Sequence, residues 1–126
     1  MSEKYETGKT GEEGARDYLE SLGYKILDMN WHFHHFELDI VADNGEELVV
    51  IEVKTRSDNF LIAPELAIDK PKIRRIVAAA DAYSQIKKID KPVRFDIICL
   101  IKKGDEYKVE THLEDAFFAP LKQRRY

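Results

Sequence analysis

The stretch Phe36-Glu-Leu-Asp-Ile-Val-Ala-Asp-Asn-Gly-Glu-Glu-Leu-Val-Val-Ile-Glu-Val-Lys54 decides how this chain folds. Two runs rich in apolar and β-branched residues, 36–42 and 47–54, flank a segment centred on Asn44-Gly45. Asn-Gly suits a two-residue type I′ turn, because both central residues of that turn need positive φ. The stretch therefore predicts a β-hairpin.

Charged side chains interrupt both strands of this hairpin at alternating positions. Because successive side chains of a strand point to opposite faces, these four charged residues are predicted to share one face. They are Glu37, Asp39, Glu52 and Lys54. A two-residue turn places Glu37 opposite Glu52, and Asp39 diagonal to Glu52 with the Cα atoms about 7–8 Å apart. Carboxylates at that separation can meet on one Mg²⁺ ion. The alternative is an exposed acidic sheet face that Lys54 partly neutralises.

The residues on both sides of the hairpin predict two helices and three further strands. Thr10 and Glu13 have the spacing of a capping box and begin the first helix, which ends at Gly23. Asp69 caps the second helix, which runs to about Lys88. The predicted apolar faces are Ala15, Tyr18, Leu19 and Leu22 on the first helix, and Ile73, Ile76, Val77, Ala80 and Tyr83 on the second. The other strands are predicted at 25–33, 93–101 and 107–111. The expected fold is thus α/β, a mixed β-sheet flanked by helices in the order α-β-β-β-α-β with a short final strand.

Length and composition favour one globular domain. The 126 residues are 44% hydrophobic and 35% charged, so a single core can form. We expect one domain over 1–126, with its core at about 7–111 and a C-terminal tail at about 112–126. No apolar run approaches the roughly 18 residues of a membrane span, and the polar opening has no signal-peptide segment. Cys99 is the single cysteine, which excludes an intrachain disulfide. We therefore expect a cytoplasmic protein with no membrane partner.

Charge is divided unevenly along the chain. Residues 1–69 carry a net charge of −10, whereas residues 70–94 carry +6, within a total of −4. A polyanion responds to the local potential, so the basic segment is a candidate docking surface for nucleic acid. Lys72 and Arg75 lie on one side of the second helix, and with Arg56 they are predicted to contact phosphates. The alternative is an ordinary solvated helix face.

The acidic residues suit metal-dependent chemistry. Glu12, in the first turn of the first helix and at the edge of its apolar face, could approach the same cation from above the sheet. Its alternative role is to interact favourably with the positive end of the helix. Mg²⁺ activates bound water and neutralises phosphoryl oxygens, and Lys54 could orient the water or stabilise developing charge. With no Ser-His or Cys-His pairing evident, phosphodiester hydrolysis fits better than acyl transfer.

Several other polar residues have weaker functional interpretations. His32 and His34 are predicted to share a strand face near His35, but a zinc site is disfavoured because no other soft ligand lies nearby. Asp96 is predicted to be a structural partner of a basic group, and Cys99 a small buried side chain. The tail at 122–126 either touches nucleic acid or frays.

Short motifs along the chain resemble those of a known family. Asp39 followed by Glu52-Val53-Lys54 resembles the signature of the PD-(D/E)XK nuclease superfamily, and Glu12 is similar to the additional acid of archaeal Holliday-junction resolvases. Seven ordered blocks between residues 7 and 100 look like the YraN-like family of uncharacterised bacterial proteins. These blocks are Gly8-Lys-Thr-Gly11-Glu12, Gly23-Tyr24-Lys-Ile-Leu27, Asn30-Trp31, Glu37-Leu-Asp39-Ile40, Glu52-Val-Lys54-Thr55-Arg56, Ala67-Ile68-Asp69 and Arg94-Phe95-Asp96. The chain departs from the pattern at Phe36, where these proteins usually have Gly.

The resemblance implies a restriction-endonuclease-like core with a defined set of site residues. Asp39, Glu52 and the Val53 carbonyl would be metal ligands, Glu12 would complete the acidic set, and Lys54 would be the catalytic lysine. Glu37 is a further auxiliary acid. We therefore expect an endonuclease dependent on Mg²⁺ or Mn²⁺ that acts on branched or structured DNA, with RNA as an alternative substrate. The competing hypotheses are a non-catalytic nucleic-acid-binding module on the same fold and a protein-interaction scaffold. A symmetric junction would call for a homodimer.

Overall fold

The computed structural model describes residues 10–57 and 68–117, which form one five-stranded sheet with a helix on each face. In chain order the elements are α1 (Gly11–Ser21), β1 (Lys25–Phe33), β2 (Phe36–Asp43), β3 (Leu48–Ser57), α2 (Lys70–Lys87), β4 (Val93–Lys103) and β5 (Glu106–Phe117). The predicted α/β class and the element order are confirmed. The arrangement is consistent with a restriction-endonuclease-like core.

The strands lie in the sheet in the same order as in the chain, β1-β2-β3-β4-β5. All neighbours pair antiparallel except β3 and β4, which are parallel and are joined by the crossover that contains α2. Parallel neighbours need such a long connection, whereas the antiparallel pairs are joined by short turns. The mixed sheet predicted from the sequence is confirmed.

Helix α1 covers one face of the sheet. The Thr10 side chain caps it by accepting a hydrogen bond from the Glu13 backbone N–H at 3.0 Å, which satisfies an otherwise unpaired donor. Ala15 and Leu19 pack against apolar residues of β2, β3 and β4, and we call this cluster the α1-side core. Its strand residues are Ile40, Ala42, Val49, Ile51, Ile98 and Leu100. Leu22, predicted to be buried, is 53% exposed because it is the C-cap residue, beyond the last packed turn.

Helix α2 covers the opposite face. The Asp69 side chain accepts a hydrogen bond from the Lys72 N–H at 2.9 Å, as its predicted capping role requires, and the helix ends at Lys88 with φ of 58°. Ile76, Ala79, Ala80 and Tyr83 pack against strand residues in what we call the α2-side core. Its strand residues are Leu38, Val41, Leu48, Val50 and Phe95. Ile73 and Val77, predicted to be buried, are only partly so.

Two details of the predicted strands are wrong. The final strand is not short, because β5 extends from Glu106 to Phe117 and passes beyond the predicted end of the core at 111. The hairpin loop spans 44–47 instead of two residues, so that Asp43 pairs with Leu48 and Val41 with Val50. The Asn44 carboxamide oxygen holds this longer loop by accepting hydrogen bonds from the backbone N–H groups of Glu46 and Glu47. The predicted tail from 118 onward lies outside the described residues.

Neither helix in the described parts of the chain combines the length and the apolar character that crossing a lipid bilayer requires.

Candidate active site

Three carboxylates meet where the first turn of α1 lies over β2. One carboxylate oxygen from each of Glu12, Glu37 and Asp39 lies within 4.8 Å of the others, and we call these residues the acidic group. Asn30 of β1 holds two of them, since its Nδ2 donates to Glu12 Oε1 at 2.9 Å and to Glu37 Oε2 at 2.6 Å. The structure thus brings together three of the predicted site residues.

Asn30 contacts two residues of the acidic group, yet it is not among the site residues predicted from the sequence. Its φ of 54° lies in the left-handed region, which asparagine tolerates better than most residues. In the sequence, Asn30-Trp31 stands out only as one of the family blocks. A polar amide between the apolar residues Met29 and Trp31 was the local signal that could have found it.

Asp39 lies where the pairing between β2 and β3 ends. The last paired positions are Ile40 and Ile51, and beyond them the Asp39 Oδ2 accepts a hydrogen bond from the Val53 N–H at 2.8 Å. The N–H and C=O of one strand residue point to the same side of the strand. The Val53 carbonyl is therefore directed toward the same space as Asp39, as its predicted ligand role requires.

The surroundings of Asp39 disfavour its negative charge. Burial raises the pKa of Asp39 to about 7, with further upward contributions from the charges of Glu52 and then Glu12. The Val53 hydrogen bond and the Lys72 charge oppose this shift only partly. A group of acids that cannot all ionise cheaply is suited to a cation, which would neutralise the excess charge. The oxygen donors present are those that Mg²⁺ and Mn²⁺ prefer.

Glu52 approaches Asp39 from the other side of the sheet. Its Oε2 forms an ion pair with Lys72 Nζ at 2.5 Å, and the Glu52 side chain is only 11% exposed. The Lys72 side chain, predicted to contact phosphate, is thus engaged with a predicted metal ligand. The Glu52 charge is the second cause, after burial, of the raised pKa of Asp39.

The prediction that the four charged residues of the hairpin share one face is wrong. Val53 packs against the α1-side core, so its neighbours Glu52 and Lys54 face the α2 side. Leu38 belongs to the α2-side core, so Glu37 faces the α1 side. Leu38 and Val41 both reach the α2-side core although they are three positions apart, so the alternation of β2 breaks between them. Asp39 lies at this break, between the two sets of charged residues.

Two of the three residues predicted to contact phosphate are engaged in ion pairs. Arg56 forms an ion pair with Glu110 at 2.7 Å, and its side chain is 15% exposed. Lys72 is paired with Glu52, as described above. Arg75 is exposed, and its guanidinium carbon lies 5.9 Å from the ring centroid of Phe36.

His32 and His34 lie in different local environments. His32 Nε2 lies 3.2 Å from Glu37 Oε1, while His34 lies in the β1–β2 turn with φ of 58°, so the predicted shared strand face is wrong. Over residues 10–57 and 68–117, the acidic group is the one set of three or more His, Cys, Asp or Glu side chains close enough to share an ion.

Asp96 has the structural role predicted for it. Its carboxylate is fully buried and accepts two hydrogen bonds from Arg94, at 2.9 and 2.8 Å. His112 Nε2 lies 2.8 Å from the same carboxylate, while His112 Nδ1 lies 2.9 Å from the Tyr18 hydroxyl. We call Tyr18, Arg94, Asp96 and His112 the buried polar network. Cys99 is buried, as predicted.

Comparison with known proteins gives one consistent family. Residues 11–100 match the model described as "Uncharacterised protein family UPF0102". A UPF0102 protein of Parabacteroides distasonis is 55% identical over 97% of this chain and all of its own length. A UPF0102 protein of Bacteroides thetaiotaomicron is 51% identical over 96% of this chain and 99% of its own length. One from Porphyromonas gingivalis is 44% identical over 98% of this chain and 92% of its own length. The chain belongs to the UPF0102 family, which is the YraN-like family that its sequence blocks indicated.

Proposed function

We propose that this protein is a cytoplasmic, metal-dependent endonuclease that hydrolyses phosphodiester bonds of branched or otherwise structured DNA. The observation that carries the proposal is the acidic group around Asp39, whose pKa of about 7 reflects burial beside other carboxylates. Ionised acids held this close repel one another, and a cation among them would remove that repulsion. This part of the chain is also where it resembles the PD-(D/E)XK signature.

Each site residue has a defined task in this proposal. Asp39, Glu52, Glu12 and the Val53 carbonyl would hold Mg²⁺ or Mn²⁺, and Glu37 would adjust the charge of the group. The bound ion would activate a water molecule and neutralise charge on the phosphoryl oxygen. Lys54, half-buried on β3, would orient the attacking water or stabilise the negative charge that grows on the phosphate. Asn30 would fix the positions of Glu12 and Glu37 through its two hydrogen bonds.

A cleavage assay tests the proposal directly. Purified protein is incubated with labelled duplex, flap and four-way-junction DNA, with Mg²⁺, Mn²⁺ or EDTA. We expect metal-dependent cleavage that Lys54→Ala slows by about a hundredfold or more while DNA affinity is retained. Lys108→Ala, which removes an exposed lysine of β5, should cleave at the wild-type rate. Equal cleavage by wild type and Lys54→Ala would identify a contaminating nuclease and refute the proposal.

The Lys72–Glu52 ion pair favours a second candidate, a non-catalytic nucleic-acid-binding module. A lysine that neutralises Glu52 leaves one metal ligand fewer. Calorimetry with Mn²⁺ separates the two candidates. Binding that is lost in Asp39→Ala supports the nuclease, whereas no binding to the wild type supports the module. Sedimentation in the presence of junction DNA would test the homodimer that a symmetric junction requires.

A further inference from the structure

A pocket of about 480 Å³ lies between the β1–β2 turn and α2. Phe33 and Phe36 form the pair of strand residues that closes the turn. The described residues that line the pocket are Phe33, His34, His35, Phe36, Arg75 and Ala78. Its volume is within the range of about 300–1,000 Å³ that is typical of small-molecule sites. The pocket can therefore hold one flat group of nucleobase size.

The chemistry of the lining favours an aromatic ligand that carries negative charge. Two phenyl rings, two imidazoles and one guanidinium surround the space, and none of its described lining residues is acidic. The Arg75 guanidinium carbon is 5.9 Å from the Phe36 ring centroid, within the range of a cation–π contact. No carboxylate of the described residues lies within ion-pair distance of Arg75. A planar base can stack on a phenyl ring while its phosphate meets the guanidinium.

The charge of the adjacent helix end complements a polyanion. Lys70, Lys72, Arg74 and Arg75 lie within the first six residues of α2, whose first turn contains no acidic residue. Residues 1–69, in contrast, carry a net charge of −10. A nucleic-acid strand is therefore attracted to this end of α2.

The pocket lies on the same side of the sheet as Glu52, a predicted metal ligand. Phe36 packs on the α2 side, whereas the next residue, Glu37, faces the α1 side. Arg75 lies one helical turn after Lys72, which pairs with Glu52. A nucleotide in the pocket would thus lie on the same side of the sheet as Glu52, near the end of α2 that pairs with it.

We infer that this pocket binds an unpaired nucleotide of the DNA substrate, with its base stacked on Phe36 and its phosphate beside Arg75. The identity of the ligand rests on the proposed function. Stacking on an aromatic side chain requires a base that is free of its duplex partner, and it tolerates every sequence. The inference narrows the substrate class to DNA with a single-stranded segment beside the cleaved bond, such as a flap or an open junction.

A fluorescence experiment in EDTA tests the pocket without any cleavage. The probes are a single-stranded oligonucleotide containing 2-aminopurine, whose emission falls when it stacks, and the same sequence as a duplex. Wild-type protein should quench the single strand. Phe36→Ala should abolish most of the quenching and weaken single-strand binding about tenfold, with duplex binding unchanged. Arg16→Ala, which removes the same charge as Arg75→Ala but from α1, should bind as wild type, whereas Arg75→Ala should bind less tightly.

Phe36→Leu provides a second variant that keeps an apolar side chain of similar size. It should retain the wild-type melting temperature and still lose the quenching. Quenching that survives in Phe36→Leu, no quenching by the wild type, or an equal loss of duplex binding would each overturn the inference. The fluorescence measurement needs no metal, so its result does not depend on cleavage. Stacking without cleavage would refute only the proposed nuclease activity, and cleavage without stacking would refute only the proposed nucleotide pocket.

Discussion

Ionisation of Asp39 should cost this protein stability in the absence of metal. Its pKa is raised from 3.8 to about 7, first by burial and then by the Glu52 charge. One pKa unit corresponds to 1.36 kcal/mol, so the ionised carboxylate lowers the free energy of unfolding by about 4 kcal/mol as an upper limit. Because the folded pKa exceeds the unfolded one, the folded state holds the extra proton between pH 4 and 7. The contribution of Asp39 to stability is therefore complete below pH 4, falls through this window and is absent above pH 7.

The substitution Asp39→Asn isolates this effect. The asparagine oxygen can still accept the hydrogen bond from the Val53 N–H, while the charge is removed. In EDTA at pH 8 we expect Asp39→Asn to raise the free energy of unfolding by about 2–4 kcal/mol, and at pH 4 to change it little. Mn²⁺ should stabilise the wild type at pH 8 and have little effect on the variant. Urea denaturation followed by circular dichroism measures each value.

Asp43→Asn is the matched control, because the same substitution at that position should change stability in the opposite direction. A hydrogen bond from Lys91 lowers the pKa of Asp43, so its charge stabilises the folded state above the unfolded pKa and this contribution is lost as pH falls. Asp43→Asn should lower stability at pH 8 by at most about 1 kcal/mol. If Asp39→Asn is no more stable than the wild type at pH 8, or gains equally at pH 4, the charge is not costly. The electrostatic argument for a cation would then be refuted.

Three further substitutions probe the packing and the charges around the site. Gly11→Ala should destabilise the fold by about 1–3 kcal/mol in thermal unfolding, because its new methyl group would overlap the Thr55 methyl. Adding Thr55→Ser removes that methyl and should restore most of the lost stability. A double variant that is no more stable than Gly11→Ala would contradict the close packing. Asp96→Asn should cost about 1–3 kcal/mol in urea denaturation because it removes the buried charge that Arg94 and His112 contact while Arg94 keeps its ion pair with Glu47, and a cost below 1 kcal/mol would be inconsistent with the buried polar network. Lys72→Ala should raise Mn²⁺ affinity several-fold in calorimetry by releasing Glu52, whereas unchanged affinity would place the ion away from Glu52.

The elements that local signals specify were predictable from the sequence. β1 begins and ends at the predicted residues, and both helices begin at the predicted caps, Thr10 and Asp69. Hydrophobic period and capping residues act within a few positions of the chain. A single sequence therefore contains the information that they need.

The hairpin loop was predictable in place but not in length. Asn44-Gly45 marks a turn, yet the Asn44 side chain holds a four-residue loop by accepting two backbone hydrogen bonds. The composition of the segment does not distinguish the two loops. The longer loop shifts the pairing of β2 with β3 by two positions. Because side chains alternate with a period of two, each residue paired in the hairpin keeps its predicted face, and the predicted core is largely correct.

The arrangement of the site depends on irregularities that periodicity cannot reveal. The break in alternation at Asp39 and the left-handed φ of Asn30 lie in facing strands. Together they put Glu37 and Glu52 on opposite sides of the sheet, whereas a regular hairpin would align them. The length of β5 was not predictable for a related reason. The residues that extend the strand include His112, which contacts Asp96 of β4, and hydrophobic periodicity does not reveal a polar contact between two strands.

The buried polar network also sets the order in which the molecule can be completed during translation. The Tyr18 hydroxyl on α1 meets His112 on β5, so this hydrogen bond joins positions that are 94 residues apart. Until the ribosome has released β5, α1 lacks that hydrogen bond, while Asn30 of β1 and the apolar residues of β2, β3 and β4 are already available to hold it. We therefore expect α1 to form in place before β5 is released and to reach its final packing only afterwards.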